Sequence, residues 1–131
     1  MESRVNRFTK RYVRQFAEAS GGKTPDAKAI ALKGLEEYIE LLFAAGVEPH
    51  QISAVYWSAL RKEIDRDTKP SREGVVAEIA EVEIMLNIFS GLSGIPDQEV
   101  CNAVDDKHAI NDGRRWRVNE FGSLSHIKDK P

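Results

Sequence analysis

The sequence predicts an all-α protein, a bundle of about five helices closed by a short C-terminal hairpin or arm. Three observations carry the prediction. Apolar residues recur at three- and four-residue spacing along most of the chain. Gly-Gly, Gly, Pro and Asp-Gly punctuate that pattern at helix-length intervals. Alternation of period two is confined to the last stretch, around Trp116 and Val118.

The first segment, Arg4 to Ser20, places Val5, Phe8, Tyr12, Val13 and Phe16 near helical spacing among basic residues and ends at Gly21-Gly22. The second is expected from Thr24, as cap, with Pro25 in the first helical position, to Ala45 before Gly46. A third opens after Pro49 and carries Ile52, Val55, Tyr56, Ala59 and Leu60 to the Asp67-Thr68-Lys69-Pro70 break. The fourth follows Pro70, with Ser71 as cap, and runs to about Ser90. The fifth spans the region from Pro96-Asp97 to Asn111 and stops at Asp112-Gly113. Beyond it, residues 114–131 read as a basic tail in which Asn119 to Gly122 supply turn chemistry and Leu124 and Ile127 follow.

A chain of 131 residues suits one domain, so a single helical domain over 1–131 is expected. The net charge of −2 and a pI near 5.9 give the whole molecule no electrostatic footprint for nucleic acid. Basic residues nevertheless crowd both ends, as Arg4, Arg7, Lys10, Arg11 and Arg14 and as Arg114, Arg115 and Arg117, which leaves a small polyanion a plausible ligand. Cys101 is the sole cysteine, which rules out an intrachain disulfide and cysteine-based zinc clusters. The first residues lack the apolar run of a signal peptide, and charges interrupt every stretch that might approach the ~20 residues of a membrane span; a cytoplasmic protein with no membrane partner is expected.

The fourth segment is the most informative. Val75, Val76, Ile79, Val82, Ile84, Met85, Leu86, Ile88 and Phe89 surround nearly the whole cylinder, a pattern that marks a buried helix. Glu78 and Glu81 lie three positions apart and share one face of it. Two carboxylates in apolar surroundings must be paired, protonated or metal-bound, because an unpaired buried carboxylate loses several kcal/mol of solvation. Arginines of the first segment could pair them structurally; a divalent cation would satisfy both at once. In the second segment Glu37 and Glu40 repeat the spacing, and Glu36 stacks one turn before Glu40. Leu35, Ile39 and Leu42 lie roughly opposite, so this acidic face could also be a solvated one. Hard oxygen ligands of this kind suit Mg²⁺ or Mn²⁺.

Glu36-Glu37-x-x-Glu40 followed by Glu78-x-x-Glu81 resembles the EExxE and ExxD signature of the all-α nucleoside triphosphate pyrophosphohydrolases, the superfamily of MazG-like proteins, dimeric dUTPases and phosphoribosyl-ATP pyrophosphohydrolases. The run Glu78-Ile79-Ala80-Glu81-Val82-Glu83-Ile84-Met85-Leu86 is very similar to a segment of phage and bacterial MazG-like proteins, and Arg114-Arg115-Trp116 to Gly122, with His126 and Lys128, is reminiscent of some of them. The likeness covers about half the chain at motif level. Glu81 stands where the family has aspartate, and residues 41–77, which hold a whole predicted helix, form a longer connection than the family's. Glu63, Asp65 and Asp67, late in the third segment, are alternative partners for the Glu78 helix, but their spacing does not match the motif.

The resemblance implies an Mg²⁺-dependent (Mn²⁺ also suitable) enzyme that cleaves nucleoside triphosphates, purine deoxynucleotides among them, to the monophosphate and pyrophosphate in nucleotide-pool control. It implies Glu37, Glu40, Glu78 and Glu81 as metal ligands, and Glu36 or Glu37 as the group that orients the water attacking the α-phosphorus or takes its proton. Lys107 and Asn111, four residues apart, stand at the interval where MazG-like proteins carry phosphate contacts; a polar helix C-terminus would look the same. A homo-oligomer, dimer or tetramer, and a phage-encoded protein acting in a host cytoplasm also follow from it. The competing class is a non-catalytic interaction module that uses its basic first helix or the Arg114-Arg115-Trp116-Arg117 tail. His50, His108 and His126 lack metal-ligand spacing, no Gly-rich phosphate loop appears, and Trp57, Tyr38 or Trp116 could stack a base.

Overall fold

A computed structural model describes residues 1–128. It is all-α, with helices α1 (Arg4–Ser20), α2 (Ala27–Ala44), α3 (Pro49–Arg66), α4 (Arg72–Leu92) and α5 (Asp97–Asp112), followed by an antiparallel hairpin of β1 (Trp116–Val118) and β2 (Leu124–His126). No described helix is long and apolar enough to cross a membrane.

The chain divides into two compact units. One comprises Met1–Ser53 with the segment from Arg114 on, the other Ala54–Gly113, and α3 runs through the boundary.

In the first unit, Ser3 caps α1 by accepting the Asn6 amide at 3.1 Å, and Gly21, at φ +74°, ends it with its N–H on the Ala17 carbonyl. Helix α2 starts two residues later than expected. Asp26, in extended backbone, accepts the Lys28 amide at 3.1 Å and so takes the capping role assigned to Thr24. Glu48 and Gln51 open α3 with one half of a capping box: the Gln51 amide oxygen accepts the Glu48 N–H at 3.0 Å, and Pro49 fills the first helical position.

The C-terminal segment is not an arm. Its turn forms the centre of the first unit's core, where Ser123 and Leu124 are buried together with Phe16 of α1 and Ala29 of α2. The Leu124 amide donates to the Tyr12 hydroxyl at 3.1 Å, and the Tyr12 ring stacks on Phe16 with centroids 6.2 Å apart. Strand register pairs Trp116 with His126, Arg117 with Ser125 and Val118 with Leu124. Asn119 builds the turn between the strands. Its Oδ1 accepts from the Phe121 and Ser123 amides, and its Nδ2 donates to the Ser123 and Ser125 hydroxyls, all at 2.9–3.1 Å. That uses both donors and both acceptor directions of the amide. Gly122 adopts φ +83°, and a Cβ there would lie 3.4 Å from Ala29 Cβ, which is how closely the turn approaches α2.

In the second unit, Ser71 caps α4 as expected, accepting the Gly74 amide at 3.0 Å, and the helix continues to Leu92. Asp67, at φ +51°, turns the chain out of α3. The expectation of a buried α4 fails. Val75, Ile79 and Val82 are 50–58% exposed, and among the described residues none from Ala54 to Gly113 is buried. The apolar pattern is real, but within the second unit no element covers the helix along its length.

Candidate active site

The acidic motif of α2 is held together by one lysine. Lys33 Nζ lies 3.2 Å from Glu36 Oε1 and 3.5 Å from Glu37 Oε1, the helical i,i+3 and i,i+4 positions. Partial burial works against the Lys33 ammonium, yet hydrogen bonds and charge from Glu36 and Glu37 outweigh it and raise its pKa above the ordinary value. One turn on, Glu40 is raised by a hydrogen bond with Glu37 and by the negative charge of that neighbour. Glu37 and Glu40, three residues apart on α2, carry carboxylate oxygens of the kind that Mg²⁺ takes. Lys33, already on Glu37, is the cation that a metal would have to displace or tolerate there.

The acidic pair of α4 stands differently. Glu78 and Glu81 are both exposed, so the desolvation that would force them onto a metal is absent. Glu78 lines a cleft of about 730 Å³ between the end of α3 and the start of α4, together with Glu63, Lys69, Ser71 and Gly74. Glu81 does not line it. Glu63 and Glu83 thus line the same cleft as Glu78, although the spacing of Glu63 in the sequence carries no motif. The Thr68 hydroxyl donates to Glu63 Oε2 at 2.6 Å and Arg66 Nη1 stands 3.3 Å from Glu63 Oε1. The Thr68 hydrogen bond is the main reason that the Glu63 pKa lies below the ordinary carboxylate value. The signal for this neighbour was the shortness of the Asp67–Ser71 turn, which returns the chain so soon that the last turn of α3 must meet the first turns of α4.

Lys107 is exposed on α5, and Asn111, one turn later, is half-buried and engaged by its surroundings. Among the described residues, no group of three or more His, Cys, Asp or Glu side chains is gathered into a metal-binding cluster. His126 packs against Trp116 across the hairpin, ring centroids 6.0 Å apart, as a structural contact.

Comparison with known protein families, with curated proteins and with solved structures yields no match.

Proposed function

We propose that the protein is a metal-dependent nucleoside triphosphate pyrophosphohydrolase. The observation that carries this reading is the acidic face of α2, where Lys33 Nζ lies 3.2 Å from Glu36 and 3.5 Å from Glu37 and Glu40 follows one turn on, in a motif that resembles the superfamily's EExxE. The run from Glu78 to Leu86 supports it independently as sequence. In this proposal Glu37 and Glu40 are ligands of Mg²⁺ or Mn²⁺ on α2, and Glu78 and Glu81 are the metal-binding pair of the second motif on α4. The ion, when bound, supplies positive charge to the phosphates and to the departing pyrophosphate.

The protein's own groups have separable tasks. Lys33 fixes the Glu36 and Glu37 carboxylates by ion pairing from one turn below. One of these two carboxylates takes a proton from the attacking water. The water oxygen bonds to the α-phosphorus, the bond from that phosphorus to the bridging oxygen breaks, and pyrophosphate leaves with the electron pair. Lys107 and Asn111 are the phosphate contacts of the same proposal, with purine deoxynucleotides in a nucleotide-pool role as the substrates that the resemblance suggests.

A homo-oligomer belongs to the reading. Nine apolar side chains of α4, from Val75 to Leu92, are exposed. A helix apolar on all sides needs cover, and a second copy is the partner always present. Sedimentation should give a multiple of 14.7 kDa.

The test is pyrophosphate release from a panel of ribo- and deoxynucleoside triphosphates with Mg²⁺, Mn²⁺ or EDTA, for the wild type, Glu37→Gln and Glu78→Gln. Metal-dependent release lost in both variants supports the proposal. Loss in Glu78→Gln alone moves the site to the cleft shared with Glu63, and no release by the wild type favours the non-catalytic interaction module.

A further inference from the structure

We propose that the exposed face of α3 is a nucleotide-binding surface, with Trp57 as the platform for the base and Arg61 and Lys62 as the contacts for its phosphates. The inference rests on the reading above only for the identity of the ligand; the face itself lies on the helix by which this chain departs from the family pattern.

A groove of about 610 Å³ runs along this face, lined by Trp57, Ser58, Arg61, Lys62, Asp65 and Arg66, with Ala54 at its end. Trp57 is 60% exposed, an expensive way to hold the largest apolar side chain unless something covers it. Tyr56 meets its ring edge-on, centroids 5.2 Å apart at 83°, which holds the indole while leaving it accessible. Among the described residues, Arg61 and Lys62 have no ion-pair partner within 4 Å, whereas Arg66 is taken by Glu63.

The spacing suits a nucleotide. Arg61 follows Trp57 by four residues, which puts it about 6 Å further along the axis on the same side, and Lys62 one residue beyond extends the reach. Their side chains span the distance from a stacked base to its phosphates. Guanidinium and ammonium groups both recognise phosphate oxygens, and an indole face accepts any base by stacking. Asp65 at the far end limits the positive charge. A long nucleic acid fits less well, because one base platform with two cations is too short a track and the net charge of −2 opposes a polyanion.

The test uses the Trp116→Phe protein, in which Trp57 is the one remaining indole, without metal and with EDTA so that no turnover occurs. Deoxyadenosine triphosphate should quench Trp57 fluorescence saturably, inorganic triphosphate should not, and iodide should quench the free protein. Trp57→Ala, followed by calorimetry in the otherwise unchanged chain, should weaken binding roughly ten- to one-hundredfold, with Trp57→Phe recovering most of the loss. Arg61→Gln with Lys62→Gln should reduce the affinity for the triphosphate to that for the nucleoside. Unchanged affinity in Trp57→Ala overturns the proposal. So does shielding from iodide, which would place Trp57 in a contact between copies, and so does tighter, steeply salt-dependent binding of a single-stranded oligonucleotide. Binding at Trp57 by a protein that releases no pyrophosphate would sink the enzymatic reading and keep this one; release that survives Trp57→Ala at unchanged KM, with unchanged affinity, would do the reverse.

Discussion

Replacing Asn119 by alanine removes four hydrogen bonds from one turn, two of them to Ser123, the most buried residue of the described chain. Each is worth a net ~0.5–1.5 kcal/mol, and the group shares strands and partners, so the bonds do not add fully; the expected loss is about 2–4 kcal/mol. The turn lies against Ala29 and brings Leu124 to Tyr12, so its loosening unpins α1 and α2 as well as the hairpin. For a unit of this size the loss corresponds to a fall in Tm on the order of 10–25 °C. Urea unfolding followed by near-ultraviolet circular dichroism and by Trp116 fluorescence measures it. Asn119→Asp keeps both accepted bonds, and its second carboxylate oxygen can accept from the Ser123 and Ser125 hydroxyls, so it should cost less than Asn119→Ala. A loss below about 0.5 kcal/mol in Asn119→Ala would refute the claim that the C-terminal turn is the keystone of the first unit.

Three further outcomes follow from local geometry. Gly122→Ala puts a Cβ at φ +83° and 3.4 Å from Ala29, and should cost about 1–2 kcal/mol in the same unfolding experiment. Glu40, raised by Glu37, should titrate above an ordinary glutamate in a carboxyl-carbon NMR titration and return toward it in Glu37→Gln. Because its folded pKa is raised, the pair favours folding below the unfolded value of about 4.3 and loses that contribution as pH climbs through the folded value; divalent-ion affinity should rise over the same interval as the shared proton leaves. Thr68→Ala should raise the Glu63 pKa toward the ordinary range, since the wild-type depression stabilises the fold above about pH 4.3 and fades as pH falls through the lowered value; the same NMR titration reads it.

Helix placement was legible because it is set by local chemistry. Ser71, Gly21, Gly46 and Pro49 act through their own backbone neighbours, and each stands where its pattern puts it. Thr24-Pro25 misled because Asp26 offers a stronger acceptor one residue after the proline, and the chain caps there. What a helix faces is not local. The apolar circumference of α4 signals cover without saying that the cover comes from the same chain, and the inference of buried glutamates inherited that error. In the same way, the basic appearance of residues 114–117 hid the few residues after them that build a core, because Asn119, Ser123 and Leu124 matter through contacts with Tyr12 and Ala29, about a hundred positions away. The α2 carboxylates were found by their helical spacing, whereas Glu63 joins Glu78 through a turn, and no periodicity records that.

Hydrolysis in ¹⁸O-labelled water with Mg²⁺, followed by mass spectrometry of both products, tests the proposed reaction most directly. Attack at the α-phosphorus predicts one labelled oxygen in the nucleoside monophosphate and none in pyrophosphate. Label in pyrophosphate or in free phosphate, or the absence of any hydrolysis, would contradict it.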